Sequence, residues 1–384
     1  MLARAACLCL FSTLGVGGLC AKEPRQIRES DAAFVGSIGC KSSSCHGGAG
    51  AKRNQYTIWS REDFHTKAYA VLLNARSERV AENLGIDAAQ SSARCTSCHS
   101  PFQSVAPTRL TQSARPDEGV SCENCHGAAG GWLRGHTRSD WTYNTRVAAG
   151  MRDLRNLYVR ANACVACHQN LPSEVLKAGH PDLFFELDSQ SVAEPKHWHD
   201  EQPWSGLREW LTGQAVALRE MSWAGASNSQ NDAFLVARWD GLAWICAAAT
   251  AWGNVPSPIS LPKSNPDQQE FTRMQSESDA LARQASTFTW SEDSVRHLAG
   301  ALAALHPEFL QKGRPIDVVA QRAKRLVLAL DRLTTGLNQN CGMCLKIDPE
   351  INQLFQDVRT LDAFDPAGFA DHLRNFRMAL EKAK

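Results

Sequence analysis

Apolar residues recur at helical spacing throughout the second half of the chain. Leu207, Trp210, Leu211, Gln214, Leu218 and Met221 follow one such period. Ile316, Val319, Ala320, Ala323, Leu326, Val327, Leu330 and Leu333 follow a second, and Ile351, Leu354, Phe355, Val358 and Leu361 a third. Phe369, Leu373, Phe376 and Leu380 predict a last helix opening after Asp365-Pro366. A Pro/Ser/Asn-rich stretch at 254–266 breaks the pattern. Residues 203–384 therefore read as an antiparallel helical bundle, with loops near 224–231, 254–266, 307–315 and 337–349. Ala233 to Trp252 is apolar enough to raise a membrane span, but it contains Arg238 and Asp240. Each would cost about 2.5–3.5 kcal/mol in lipid, which makes the stretch a buried helix instead.

The first half opens differently. Residues 1–21 have Arg4, an apolar run from Ala5 to Val16 and Gly17-Gly18 before the expected cleavage, and read as a secretory signal peptide. The run is short of the ~20 residues of a spanning helix. Leu19 stands where a lipidated Cys20 would need a small residue, which argues against a lipoprotein. No membrane span is expected after cleavage, and the expected location is an oxidising periplasm. Lys+Arg (41) nearly balance Asp+Glu (40), so no basic excess points to nucleic acid.

The chemistry lies in the order of the cysteines and histidines. Of 14 Cys and 12 His, four His directly follow a Cys. Cys95-Thr-Ser-Cys98-His99, Cys122-Glu-Asn-Cys125-His126 and Cys164-Val-Ala-Cys167-His168 have the C-x-x-C-H spacing of covalent haem c attachment. Two thiols add to the two vinyl groups on one porphyrin edge, and the adjacent His becomes the proximal iron ligand. Cys40-Lys-Ser-Ser-Ser-Cys45-His46 is a lengthened version in which the extra residues must bulge. Zinc or disulfides would use the cysteines without requiring a His after each pair. Four covalently bound haem c groups between residues 40 and 168 leave little polypeptide per haem. A mainly α fold with little regular sheet is expected at 22–202, followed by the all-α bundle at 203–384. Haem propionates would also make the holoprotein acidic, although the polypeptide carries a formal +1.

Sixth ligands must come from the remaining histidines. His65 lies between Trp59 and Tyr69, His136 follows a glycine-rich turn after His126, and His180 is set between Gly179 and Pro181. These three are the expected distal ligands. His197, and less so His199, are candidates for a fourth, or for hydrogen bonds to propionates. Cys341-Gly-Met-Cys344 carries Leu345 where a haem motif has His, so a disulfide is expected, within the motif or to Cys246.

These residues together carry a resemblance. Gly119-Val-Ser-Cys122-Glu-Asn-Cys125-His126-Gly127, Gly135-His136, the Trp59-to-Tyr69 segment and Ala178-Gly179-His180-Pro181 with Phe185-Glu186-Leu187 resemble the tetrahaem cytochrome c five-fifty-four family over roughly residues 36–200. The relatives of that family include octahaem hydroxylamine oxidoreductases and pentahaem nitrite reductases. The resemblance implies closely packed haems passing electrons between redox partner proteins. It also implies three bis-His irons and an open position on the second haem in sequence, that of His99. Two departures stand out: the lengthened first motif, and about 180 residues beyond the haem region. The expected function is a periplasmic electron-transfer cytochrome. The alternative is an oxidoreductase acting on a small inorganic substrate, a nitrogen or sulfur oxide, at one open haem.

Overall fold

The computed structural model describes residues 31–196, 202–227, 232–341 and 345–383. Residues 1–21, His197, His199 and Cys344 lie outside the described residues, and so does the side chain of Cys341. Among the described residues the fold is built of helices and turns, with no strand. One isolated parallel bridge pairs Phe34 with Leu110.

The haem-motif half uses short helices. They are α1 (Gln55–Glu62), α2 (Ala68–Val71), α3 (Ala75–Leu84), α4 (Ala93–His99), α5 (Cys122–His126), α6 (Tyr143–Ala148), α7 (Leu157–His168), α8 (Ser173–Lys177) and α9 (Leu187–Ala193). Three of them, α4, α5 and α7, end on the His of an attachment motif. The local signals are ordinary caps. Asn156 accepts from the N–H groups of Tyr158 and Val159 at the start of α7. Asn74 accepts from Ser77 N–H at the start of α3. Protein-only apolar clusters here are small, one around Phe34 and Phe102 and another around Leu72, Ala81 and Ala89.

The second half is the expected helical array: α10 (Ser205–Ser227), α11 (Ala233–Trp252), α12 (Gln268–Ala285), α13 (Glu292–Ala303), α14 (Ile316–Cys341), α15 (Asp348–Asp357) and α16 (Pro366–Lys382). Helix α10 packs along α12, and α11 along α14. Helix α10 runs to Ser227 and α14 to Cys341, each a few residues into an expected loop. Helix α11 is buried as expected, and among the described residues no helix is long and apolar enough to cross a membrane. Cys246 is a fully buried free thiol, so it is not the disulfide partner considered for Cys341 or Cys344.

The main apolar core does not stop at the start of the bundle. It takes in Ala161 and Val165 of α7, and Phe185 and Leu187. A Cβ at Gly213 of α10 would stand 2.7 Å from Leu187 Cβ, so only glycine allows α9 this close an approach.

Arginines of the bundle also grip the same stretch of chain. Arg238 reaches Asp182 at 2.7 Å and Leu183 O at 2.6 Å. Arg325 reaches Glu186 at 2.6 Å, and Arg332 reaches Asp188 at 2.7 Å. Gln214 completes the Glu186 site, donating to its carboxylate at 2.9 Å. Burial pushes Glu186 up and Arg325 down to about 10, both toward their neutral forms. Each therefore depends on the other to stay charged.

Removing one partner strands the other. Arg325→Met is expected to lower stability by about 3–5 kcal/mol near neutral pH. A carboxyl whose folded pKa lies above its unfolded value destabilises when ionised, so the loss should be smaller at pH 5 than at pH 7. Denaturant midpoints at the two pH values check this; equal midpoints for wild type and variant at pH 7 contradict it.

Candidate functional site

The lengthened first motif closes on itself. Cys40 ends a 3-10 turn, His46 N–H donates to Cys40 O at 3.2 Å, and Cys45 and Gly47 N–H both donate to Ser42 O. The extra residues are absorbed as a backbone turn between Cys40 and Cys45. A Cβ at Gly47 would sit 1.9 Å from Lys41 O, so the turn requires glycine there.

None of the eight motif cysteines is in a disulfide. Their thiols instead mark a row of neighbouring motifs. Cys40 lies near Cys122, Cys125 near Cys164, and Cys167 near Cys98. The motifs thus adjoin in the order first, third, fourth, second.

Six histidines meet in three pairs. His46 faces His136 with ring centres 6.1 Å apart, His65 faces His168 at 6.1 Å, and His99 faces His180 at 6.2 Å. Each pair joins one motif His to one expected distal His. Two metal–nitrogen bonds of about 2 Å hold opposed nitrogens about 4 Å apart, and their ring centres about 6.3 Å apart. The three separations fit an iron between the rings. The interplanar angles of 19°, 86° and 70° do not matter to this test, because two imidazoles on opposite sides of one metal can adopt any angle about their shared axis.

Hydrogen bonds aim all six rings the same way. Nδ1 of His46 meets Gln55 Oε1 at 2.9 Å, that of His99 meets Ala68 O at 3.0 Å, and that of His136 meets Leu133 O at 2.5 Å. Nδ1 of His180 meets Pro181 O at 2.8 Å. His65 Nδ1 meets two carboxylates, Asp63 at 3.0 Å and Glu194 at 3.2 Å. His168 Nδ1 lies 3.2 Å from Gln190 Nε2, while Gln190 Oε1 is buried without a partner. Turning that amide over lets Nδ1–H donate to the oxygen, the usual choice when a network decides the orientation. With Nδ1 engaged, Nε2 is the atom each ring offers to a metal, the common second-shell arrangement for ligating histidine.

Electrostatics favour neutral rings at two of these positions. Burial lowers His99 and His168, and the opposite imidazole adds to the effect. In the metal-free chain His65 is instead raised to about 10, first by Asp63 and then by Glu194. Burial raises the Cys125 thiol to about 12 and the Cys164 thiol to about 11.

One expectation is corrected. The iron of His99 was expected to have an open position, but His180 stands opposite it at the same separation as the other pairs. Two bonds bring His180 there: Arg76 donates to Gly179 O and Asn83 to Ala178 O, both at 3.0 Å. Those side chains line a cleft with Arg79 and Val80 beside the Gly179 turn. The fourth motif histidine, His126, ends α5, and its carbonyl accepts from Arg152 N–H at 2.8 Å.

Several residues of the site carry no motif. Glu123, inside the third motif, is buried and accepts from the N–H groups of Val35, Gly36 and Ala129 at 2.6–3.0 Å. It ties the segment before Cys40 to α5. Asp63 could be suspected from its place two residues before His65, where it caps the following turn. Gln55, Gln190 and Glu194 offered no such signal.

Residues 39–127 match the family model described as Cytochrome c554 and c-prime. Over this segment the chain is similar to that c-type cytochrome family. The match spans the first three attachment motifs and ends before the fourth. No curated protein and no solved structure matches the chain.

Gly119 gives this geometry a local test. Its φ is +76°, and a Cβ there would lie 2.7 Å from His65 O, which also accepts from Val120 N–H at 3.0 Å. Gly119→Ala is expected to cost about 1–3 kcal/mol through backbone strain. An unchanged denaturation midpoint would contradict the packing described.

Proposed function

We propose that this chain is an exported tetrahaem c-type cytochrome that passes electrons between redox partner proteins. The observation that carries the reading is the set of three imidazole pairs, each separated by 6.1–6.2 Å. Bound haem c supplies a reversible one-electron couple at its iron. The polypeptide's part is attachment, orientation and spacing. Cys40 and Cys45, Cys95 and Cys98, Cys122 and Cys125, and Cys164 and Cys167 are the thioether positions. His46, His99, His126 and His168 are the proximal ligands, and His136, His180 and His65 the distal ligands of the first, second and fourth motifs. His197 is the ligand we assign to the iron of His126, since the other three distal histidines are already committed. The contiguous row of motif thiols supports close haem packing, which a carrier needs.

The leader-like residues 1–21 and the covalent attachment motifs support a periplasmic location. In this reading residues 22–202 form the haem domain, and residues 203–384 form a bundle that clamps the segment leading from His180 to Glu194. The alternative, turnover of a small nitrogen or sulfur oxide at an open haem, has lost its expected place at His99.

Electron paramagnetic resonance of the purified holoprotein tests the assignments. His65→Ala, His136→Ala, His180→Ala and His197→Ala should each convert one haem in four from low-spin to high-spin. A replacement that leaves the spectrum unchanged rejects that ligand. A high-spin signal already present in the native protein, and untouched by His197→Ala, would revive the open-haem alternative.

A further inference from the structure

The six paired imidazoles differ in what holds their Nδ1. Five meet a neutral group: two side-chain amides, at His46 and His168, and three backbone carbonyls. His65 alone among them meets carboxylates, and it meets two. Asp63 is buried and also accepts the backbone N–H of His65 at 2.8 Å, so its position is fixed twice. Glu194 closes α9 and arrives from the far end of the segment clamped to the bundle.

Among the described residues no Lys or Arg is ion-paired with Asp63 or Glu194. Arg160 is paired with Glu209 at 3.2 Å. Arg152 donates to the carbonyls of Cys125 and Asn124. A carboxylate accepting from the outer N–H of a metal-bound imidazole makes the ring more basic and donates density to the metal. That favours the oxidised, more positive iron, and burial strengthens the effect by lowering the local dielectric.

We propose that Asp63 and Glu194 act through His65 to make the iron between His65 and His168 harder to reduce than those of the other two imidazole pairs. They are positioning and tuning residues rather than ligands. The inference rests on the ligand assignment above and goes beyond it, because it ranks the haems. The fourth motif adjoins both the third and the second. The least reducible of the three paired sites is therefore internal to the row, a step that electrons must climb between the other two.

The test is a spectroelectrochemical titration of the holoprotein, following the haem absorption bands. In Asp63→Asn and Glu194→Gln one component, lower in potential than at least two others in the native protein, should move upward more than any other, and further still in the double variant. Asn keeps the capping role of Asp63, so the turn should survive. The converse variant, Gln55→Glu, places a carboxylate on His46 Nδ1 and should move a different component downward. No upward move, or a largest move by a component that starts above two others, overturns the proposal. If the first two variants lose haem, Gln55→Glu alone decides: no downward shift overturns it. The ligand assignment is judged separately. His65→Ala that fails to produce a high-spin iron rejects His65 as a ligand. A high-spin iron together with unmoved potentials in the carboxylate variants rejects only the tuning.

Discussion

Each imidazole of the three pairs is held by its Nδ1, and the rest of the haem-motif half is arranged around that tether. A histidine side chain has two rotatable bonds, and an unanchored ring would swing away from an iron as easily as toward it. Here Gln55, Ala68 O, Leu133 O, Pro181 O, Gln190 and the Asp63–Glu194 pair fix all six rings from behind. The tethers explain why so few apolar contacts suffice in this half. Its protein-only clusters are small. Haems held at the ring pairs would supply the missing core.

The bundle contributes to the same geometry from a distance. Arg238, Arg325 and Arg332 hold Asp182, Glu186 and Asp188, the stretch that begins just after His180 and ends just before Glu194. Buried ion pairs of this kind add little net stability compared with apolar packing. Their value lies in fixing one register of the chain across the bundle. A slip of the 182–188 segment would move a distal ligand at one end and a carboxylate partner of another ligand at the other. The long helical half is thus coupled to the candidate haem sites through the segment it grips.

The three regular attachment motifs were legible because their chemistry is local, confined to five consecutive residues. The bundle was legible where the buried face is purely apolar, as on α16, and where apolar positions outnumber the buried polar ones, as on α14. Helices α12 and α13 were not assigned: in α12 the buried face includes Glu270 and Ser278, which blur the period. Distal ligation was only partly legible. His65, His136 and His180 could be singled out by their neighbours in sequence, but which ring faces which depends on contacts between distant segments. The position opposite His99 is filled because Arg76 and Asn83 draw in the Gly179 turn. No local pattern announces that. The arginine–carboxylate pairs were invisible for the same reason, since Arg325 and Glu186 meet only once the bundle has formed.

The central claim is that four covalent haems are attached, the first through the lengthened Cys40-to-His46 turn. Intact mass spectrometry of the mature holoprotein, alongside a pyridine haemochrome count per polypeptide, measures this directly. The account predicts a mass exceeding the processed polypeptide by four haem groups, falling to three when Cys40 and Cys45 are replaced by Ala. Three haems in the native protein, unchanged by that replacement, would contradict it.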